Sequence, residues 1–388
     1  MEIQLSEEHQ MIKDLVNRFV TDELLPIEGA VLERDAHGHG MIIADDEMAR
    51  IDARSKELGL WGLDAPEEFG GTDLPMVALM AVHEEMGKTV TPYILPPDSP
   101  NLRMLVASCN DEQRTRYLAP YAAGRTHSAI AISEPGAGAD PAAMATRAKM
   151  DGDEWVLNGH KIWCSKAEEA DFTIVMAVTN KEKGARGGIS AFLVDRDTPG
   201  FNILRKIPMV GGLYTYEIKL EDCRIPSGNL LGEEGKGFAP MQLRLSTRRL
   251  LLVSRCVGIA QRCMDMVVDY APQRTTFGST LADKQTIQWW VADAATQIYA
   301  CRLMAHDIAQ KIDAGKSVRT EVSMAKVFAT DMAWDFVDKA AQIFGAMGQT
   351  KEMPFHLFAG NIRAMRVYEG PSEVHRWVVA RNLLGLKR

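Results

Sequence analysis

The spacing of apolar residues changes twice along the chain. From residue 6 to about 130, apolar positions recur every three to four residues, as in amphipathic helices. In the first such segment Met11, Leu15 and Phe19 fall on one stripe, and Ser6 ahead of an acidic turn predicts a helix cap. The first third of the chain is therefore expected to be helical.

Past Ser128 the period approaches two. The segments 154–158 and 217–221 alternate, while 172–178 and 190–194 are short apolar runs rich in strand-forming residues. Asn158-Gly159 predicts a tight turn. These patterns indicate a small antiparallel sheet domain over 131–235.

Helical spacing returns at Gly237 and continues to the end. Leu250, Val253 and Val257 recur at steps of three and four, and 286–314 and 322–344 are long helical patterns. Such lengths favour a helical bundle. The sequence thus predicts a mainly α protein with a central β domain, divided into 1–130, 131–235 and 236–388.

Composition narrows the classes of function. A chain of 388 residues with 46% hydrophobic and 25% charged residues is typical of a soluble protein with several domains. A net charge of −8 without a long basic run argues against a nucleic-acid partner. No segment resembles a signal peptide or spans the roughly 20 apolar residues that a membrane requires. Six cysteines without a C-x-x-C pair indicate reduced thiols, and we expect a cytoplasmic enzyme without a metal site.

The strongest candidate for chemistry is Glu369. A helical pattern ends at Gly370-Pro371, and a second one begins at Ser372. Proline suits the first turn of a helix, so Glu369 is expected in a short turn from which its carboxylate can project as a general base. The alternative is a surface carboxylate that caps the next helix.

Two other stretches invite a functional interpretation. Residues 131–140, Ala-Ile-Ser-Glu-Pro-Gly-Ala-Gly-Ala-Asp, are glycine-rich but lack the spacing of a dinucleotide-binding loop. Residues 159–165, Gly-His-Lys-Ile-Trp-Cys-Ser, contain a tryptophan that by itself would more often be a core residue. Taken alone, the first stretch is equally well a turn that leaves a strand.

Together these stretches resemble motifs of the acyl-CoA dehydrogenase family, and the resemblance extends over essentially the whole chain. It includes residues 66–71 (Pro-Glu-Glu-Phe-Gly-Gly), 232–238, 274–278 (Arg-Thr-Thr-Phe-Gly), 342–348 and 368–370 (Tyr-Glu-Gly). Each motif is weak, but their order and spacing are specific. The resemblance implies an N-terminal helical domain, a middle β-barrel-like domain and a C-terminal four-helix bundle.

The resemblance also implies FAD as cofactor and assigns residues to it. Ile132 and Ser133 would contact one side of the flavin ring, with Trp163 and Ser165 on the other. The remaining cofactor residues implied by the resemblance are Arg274, Thr276 and Phe277 from a second protomer, then Gln285, Gln342, Gly345, Pro371 and Glu373. A cofactor shared between chains implies a homo-oligomer, a dimer of dimers.

The implied reaction is α,β-dehydrogenation of an acyl-CoA to a trans-2-enoyl-CoA. Glu369 would remove the α-proton, flavin N5 would take the β-hydride, and an electron-transfer flavoprotein would accept the electrons. The implied substrate residues are Ala139, Arg248, Tyr368 and Gly370. Thr247 occupies the position near which some family members carry their base instead, so Glu369 has no rival there.

Several positions depart from the family pattern. Ala139, Pro371 and Glu373 replace residues that are more often serine, threonine and glutamine. Residues 97–101 (Pro-Asp-Ser-Pro-Asn) and 370–375 (Gly-Pro-Ser-Glu-Val-His) are similar to members related to animal dehydrogenases fused to a kinase-like domain. That subgroup usually carries aspartate as base, and some of its members act on 4-hydroxyacyl thioesters.

Three alternatives stay open at this stage. The same scaffold could support an acyl-CoA oxidase or a nitroalkane-type oxidase, or a flavin monooxygenase, although the carboxylate at 369 argues against the last. A non-catalytic partner subunit is a third possibility.

Overall fold

The computed structural model of the chain describes residues 5–97 and 101–386 as a helical, a β-sheet and a second helical region in sequence order. The helices are α1 (Glu7–Phe19), α2 (Glu28–Ala36), α3 (Asp45–Glu57), α4 (Met76–Met86), α5 (Leu102–Ser108), α6 (Asp111–Gln113), α7 (Ala119–Ala122), α8 (Phe238–Tyr270), α9 (Gln285–Asp313), α10 (Arg319–Ile343), α11 (Phe355–Met365) and α12 (Ser372–Leu383). The strands are β1 (Ser128–Ala131), β2 (Arg147–Asp151), β3 (Glu154–Cys164), β4 (Phe172–Val178), β5 (Ile189–Asp195), β6 (Phe201–Pro208), β7 (Tyr214–Pro226), β8 (Leu230–Leu231), β9 (Thr275–Thr276) and β10 (Ser279–Thr280). The predicted order of helices, sheet and helices is confirmed.

The first helix begins as its sequence predicts. The Ser6 hydroxyl accepts a hydrogen bond from the His9 N–H at 3.2 Å, which caps α1. Phe19 is buried against the ring of Tyr93, but Met11 is 71% exposed. The predicted stripe is therefore wrong at its N-terminal end, because α1 packs on α4 chiefly through its second half.

The sheet runs in the order β6-β7-β3-β2-β4-β5-β8, with β1 also paired to β4. Most pairs are antiparallel as expected, whereas β1 pairs with β4 in parallel from Ser128↔Phe172 to Ala131↔Val175. A parallel pair needs a long crossover and leaves no hairpin signal in sequence. The parallel pairing places the end of β1 beside the middle of the sheet.

The predicted turn at Asn158-Gly159 is wrong. Both residues lie inside β3, where the pairing with β7 shifts between Leu157 and Gly159. A Cβ at Gly159 would lie 2.2 Å from the Thr146 hydroxyl oxygen. The glycine therefore permits close approach of two chain segments at an irregular pairing, and it does not reverse the chain.

The two helical regions share one hydrophobic core. Buried residues of α1 and α4, among them Phe19 and Leu79, belong to the same cluster as Leu252 and Val257 of α8 and Phe336 of α10. This continuous core fixes the N-terminal helices against the C-terminal bundle.

Glycines allow α4 and α8 to approach closely. A Cβ at Gly258 would lie 2.0 Å from the Glu84 carbonyl oxygen, and one at Gly87 would lie 2.6 Å from the Arg255 carbonyl oxygen. Backbone contact of this kind leaves no room for a side chain at either glycine. The face of α8 that carries Arg255 is thereby held against α4.

Candidate active site

Glu369 lies in a turn between α11 and α12 with a left-handed backbone, φ +57°. This conformation is uncommon for a residue with a side chain and costs about 1–3 kcal/mol. Basic side chains on three helices hold the turn through its carbonyl groups. Arg249 Nε of α8 and His375 Nε2 of α12 both donate to the Glu369 carbonyl, at 2.7 and 3.2 Å.

Lys326 of α10 also donates hydrogen bonds to this turn. Its Nζ donates to the Tyr368 carbonyl at 2.6 Å and to the Gly370 carbonyl at 2.5 Å. The carbonyls of three consecutive residues therefore point toward cationic or imidazole donors. No partner is found for the Glu369 N–H among the described residues, so this donor is available to a ligand.

The Glu369 carboxylate is almost fully enclosed. Its Oε1 accepts from Arg244 Nη1 at 3.3 Å, while its Oε2 is buried without a hydrogen-bond partner among the described residues. Arg244 Nε in turn donates to Asn101 Oδ1 at 2.8 Å, and the Asn101 amide donates to Ser128 Oγ at 2.8 Å. This chain of bonds links the carboxylate to the first residue of β1.

Burial sets the charge of the groups around the turn. It lowers the pKa of Lys326 to about 8, with the nearby Glu369 carboxylate opposing the shift. It also lowers the pKa of His375 to about 4, assisted by the charges of Lys326 and Arg249. His375 is accordingly neutral near pH 7, and its Nδ1 faces Ser323 Oγ at 3.0 Å. His375 is buried, because α12 packs this side of the histidine against α10.

The residues after β1 and at the end of β3 lie side by side. Ile162 N–H donates to the Ser133 carbonyl at 3.0 Å, and Lys161 Nζ donates to the Ile132 carbonyl at 3.0 Å. The structure thus brings Ile132 and Ser133 close to Trp163 and Ser165. Trp163 is 51% exposed with φ +62°, so it is not a core residue.

A buried ion pair fixes these two segments. Lys161 Nζ contacts Glu134 Oε1 at 2.8 Å, and the same carboxylate accepts from the N–H groups of Ala145 and Thr146. Lys161 is fully buried, which lowers its pKa, while Glu134 opposes that shift. The glycine-rich stretch is therefore a loop that Glu134 anchors, and Ala139 lies exposed beyond it.

A third group of predicted residues lies at the other end of α8. Arg274, Thr276 and Phe277 form the β9–β10 hairpin region, and Gln285 begins α9. Phe277 is 98% exposed with φ +48°.

Gln342 and Gly345 belong to the same end, because Phe344 between them stacks on Tyr270 at 4.2 Å. Tyr270 is 21 residues from Arg249 on one helix, or about 32 Å at 1.5 Å per residue. This third group is therefore far from the Glu369 turn of its own chain.

The remaining predicted residues surround Glu369. Tyr368 and Gly370 flank it, Pro371 and Glu373 begin α12, and Arg248 lines a cavity between α4 and α8. Arg248 and Arg255 lie on the side of α8 that faces α4. They do not form a solvated helix face, since α4 covers them.

Sequence reasoning missed several residues of the site. Arg244, Arg249, Lys326 and Asn101 were not predicted to contact the Glu369 turn. The available signal was the set of arginines at 244, 248, 249 and 255, which lie around the apolar segment 250–253 of one helix. Of the two subgroup motifs, residues 98–100 of the first lie outside the described residues.

No group of three or more metal-ligating side chains is found within residues 5–97 and 101–386. In the same described part, no helix is both long and apolar enough to cross a membrane.

The side chains fit a flavin adenine dinucleotide. Trp163 and Ile132 offer apolar surface next to the hydroxyls of Ser133 and Ser165, as a flat aromatic ring with polar edges requires. At the far end of α8, Arg274 is an exposed guanidinium suited to phosphate. Gly345, with φ +62°, has open space where a side chain would stand.

Two helical domains around a sheet, with an enclosed carboxylate and a flavin-compatible surface, define a class of flavin-dependent oxidoreductases. Family models agree over nearly the whole chain: "Acyl-CoA dehydrogenase, N-terminal domain" matches residues 6–125, the middle domain 129–223 and the C-terminal domain 235–384. The chain belongs to the acyl-CoA dehydrogenase family, and its activity is FAD-dependent acyl-CoA dehydrogenation.

Individual proteins show the same relationship. The chain is 38% identical to (R)-benzylsuccinyl-CoA dehydrogenase of Thauera aromatica, covering 99% of this chain and 97% of the relative. Its structure is similar to that of butyryl-CoA dehydrogenase from Megasphaera elsdenii, with TM-score 0.89, 30% identity, and 99% and 100% of the two chains covered. The FAD complex of PigA is also similar, with TM-score 0.89, 26% identity and 99% of each chain covered.

Proposed function

We propose that Glu369 is the base that removes the α-proton of an acyl-CoA thioester. The observation that carries this proposal is the buried Oε2, which has no partner among the described residues while Oε1 is paired with Arg244. One oxygen is thereby oriented by a cation, and the other remains able to accept a proton from carbon. An orphaned carboxylate oxygen in an enclosed site costs free energy, as expected where a ligand supplies the missing contact.

Loss of the α-proton places negative charge on the thioester oxygen. The Glu369 N–H is a suitable donor to that oxygen, because the carbonyls of the turn are turned toward Arg249, His375 and Lys326. The strained backbone of the turn presents an N–H and a carboxylate from the same residue.

Bound FAD supplies a hydride acceptor at N5. Glu369 would take the proton from the α-carbon, the bound cofactor would supply the acceptor for the hydride that leaves the β-carbon, and a carbon–carbon double bond would form between the two carbons. We assign Ile132, Ser133, Trp163 and Ser165 to the flavin ring, with Pro371 and Glu373 beside it.

The residues at the far end of α8 serve the cofactor of a second protomer. The distance of about 32 Å along α8 and the exposure of Phe277 support this assignment for Arg274, Thr276, Phe277, Gln285, Gln342 and Gly345. An exposed aromatic side chain in a strained conformation is costly unless another chain covers it. We therefore propose that the assembly is a homo-oligomer, a dimer of dimers.

The reduced cofactor passes its electrons to an electron-transfer flavoprotein, and the cytoplasm is the proposed compartment. The six cysteines are free, the state expected in a reducing environment. The names of the similar proteins include both a butyryl and a benzylsuccinyl thioester. The proposed substrates are therefore acyl-CoA thioesters as a class, and no single acyl chain is specified.

The test is an anaerobic titration of the FAD-loaded protein with a panel of acyl-CoAs, followed by absorbance of the oxidised flavin. Bleaching is expected with the wild type. Glu369→Gln should retain FAD and lower the bleaching rate by about 10²- to 10⁴-fold, the usual contribution of a general base. Glu352→Gln, an exposed carboxylate outside the site, is the matched control and should bleach normally. Normal bleaching by Glu369→Gln would refute the assignment of the base.

A further inference from the structure

A stripe of arginines runs along α8 from the catalytic turn into the interior. Arg244, Arg248 and Arg255 are spaced by four and seven residues, which places them on one face of the helix. Arg244 contacts Glu369, and Arg248 follows about 6 Å farther along the axis at 1.5 Å per residue. Three guanidinium groups therefore lie on the face of α8 that packs against the N-terminal helices.

Arg248 and Arg255 line a cavity whose other walls are largely apolar. Val82 and Met86 of α4 and Leu95 of the following loop form part of that wall. His83 also lines it, and its Nδ1 is shielded from solvent without a hydrogen-bond partner among the described residues. The Asp64 carboxylate lines the cavity too, and both Asp64 and Arg255 interact with other residues. The cavity is therefore apolar along most of its wall and charged or polar at Asp64, His83 and the two arginines.

Arg248 brings the cavity close to the turn that carries Glu369. Arg248 lies one helical turn after Arg244, which contacts the Glu369 carboxylate, and directly before Arg249, which donates to the Glu369 carbonyl. Burial, together with the charges of Arg255 and Arg248, holds the pKa of His83 well below its usual value and keeps the ring neutral. An acyl group whose α-carbon lies at Glu369 would extend into this space.

A purely apolar acyl chain would be a poor occupant. It would remove water from Arg248 without replacing its hydrogen bonds, and a desolvated, unpaired cation is costly. Within the described part of the chain, Arg248 makes no hydrogen bond or ion pair of its own, whereas Arg255 has interactions with other residues. Arg248 is therefore a cation in this cavity that can take a new partner, and His83 Nδ1 is a second unsatisfied polar atom there.

We propose that the acyl group of the substrate carries a second, anionic carboxylate, which Arg248 binds at the side of the cavity next to His83. This proposal rests on the proposed function and specifies its substrate class as acyl-CoA thioesters of dicarboxylic acids. A guanidinium matches a carboxylate with two parallel hydrogen bonds, which fixes both the position and the orientation of the acyl group. The apolar walls accommodate the methylene groups or other apolar substituents between the two carbonyl carbons.

The experiment compares thioesters that differ only at the far end. Glutaryl-CoA is paired with pentanoyl-CoA, and adipyl-CoA with hexanoyl-CoA, so that each pair exchanges a carboxylate for a methyl group. Two quantities are measured on the FAD-loaded protein: kcat/KM for anaerobic bleaching, and the Kd of the corresponding 2-enoyl-CoA from the perturbed flavin spectrum. In at least one pair, the diacid thioester should be favoured by roughly 30-fold or more in both, the lower range for a buried charge pair.

Variants at Arg248 separate recognition from folding. Arg248→Met keeps the length of the side chain without its charge and should lose roughly 30-fold or more on the diacid while gaining on the neutral thioester. Arg248→Lys keeps the charge without the paired geometry and should fall between the two. Arg186→Leu removes the same charge from an exposed loop outside the cavity and should leave the preference intact.

The outcomes distinguish this inference from the proposed function. Bleaching by the neutral members with equal or greater efficiency would overturn the inference and leave the dehydrogenase assignment in place. If nothing bleaches but the diacid enoyl-CoA binds more tightly through Arg248, the inference stands and the assigned reaction fails. If no thioester binds or bleaches, both are overturned.

Discussion

Lys326→Met is the sharpest probe of how the fold holds the turn that carries Glu369. The substitution keeps the length of the side chain but removes the ammonium that donates to the Tyr368 and Gly370 carbonyls. Hydrogen bonds from a charged donor contribute roughly 1.5–3 kcal/mol each, or about 3–6 kcal/mol together. Against this, a pKa lowered to about 8 from 10.5 corresponds to roughly 3 kcal/mol that disfavours the buried charged form. The two contributions largely offset each other, so we expect only modest destabilisation of the whole protein.

The effect on turnover should be larger than the effect on stability. Glu369 has φ +57°, a conformation that costs about 1–3 kcal/mol and persists only while its surroundings impose it. If the variant turn relaxes by that amount, kcat should fall by about 5- to 150-fold, since each 1.36 kcal/mol is a factor of ten. KM should change little, because Lys326 contacts backbone and not the cavity between α4 and α8.

The assay is anaerobic reduction of the flavin by a saturating acyl-CoA, with FAD content and a denaturant midpoint measured on the same samples. Lys339→Met is the matched control, because Lys339 lies on the same helix in an outward-facing pair with Asp335. A Lys326→Met protein that keeps its FAD and a kcat within twofold of the wild type would refute the view that this lysine holds the turn.

Acid stability, cofactor binding and helix packing can each be tested at a single residue. The pKa of His375 is lowered to about 4 from 6.5, so the unfolded chain binds the extra proton between these values, and stability should fall by roughly 3 kcal/mol as the pH drops from 6.5 to 4. His375→Gln should remove this loss of stability at acid pH. If the wild type and the variant had the same denaturant midpoint as each other at pH 7 and again at pH 4.5, the prediction would be contradicted. Arg274→Met should weaken FAD binding about 10- to 150-fold, because Arg274 is assigned one charge-assisted hydrogen bond to the cofactor. The Kd is measured from FAD release on dilution, and an unchanged Kd would contradict the assignment. Gly258→Val should destabilise the protein strongly, because even a Cβ would lie 2.0 Å from the Glu84 carbonyl, and a denaturant midpoint equal to that of the wild type would show that α4 and α8 can separate without cost.

The local elements were largely predictable because each of them is encoded by nearby residues. The four apolar or alternating strand segments, the cap at Ser6 and the long helices α8 to α10 follow from periodicity. The turn at Asn158-Gly159 was not predictable in this way, since the glycine there is required by contact with Thr146, a residue distant in sequence. The parallel pairing of β1 with β4 was not predicted either, because strands paired in parallel are joined by a long crossover and not by a hairpin turn.

The candidate site shows the same division. Glu369 was recognisable from the break between two helices, and the order of motifs identified the family. Arg244, Arg249, Lys326 and His375 lie up to 125 residues from Glu369 in sequence, as the separation of Arg244 and Glu369 shows. Each of them is an ordinary basic residue in a helix until three helices bring it to the same turn.

By itself, then, the sequence determined the periodic elements, the order of the three regions and the family, and it singled out Glu369 as the candidate carboxylate. Only the tertiary structure decided that this carboxylate has one paired and one unpaired oxygen, that its turn is held in a strained conformation, and that Arg248 faces a cavity and not solvent. The physical reason is that burial and hydrogen bonding depend on which distant segments pack together. Periodicity along the chain records the face that each element buries, but it does not record the partner that covers it.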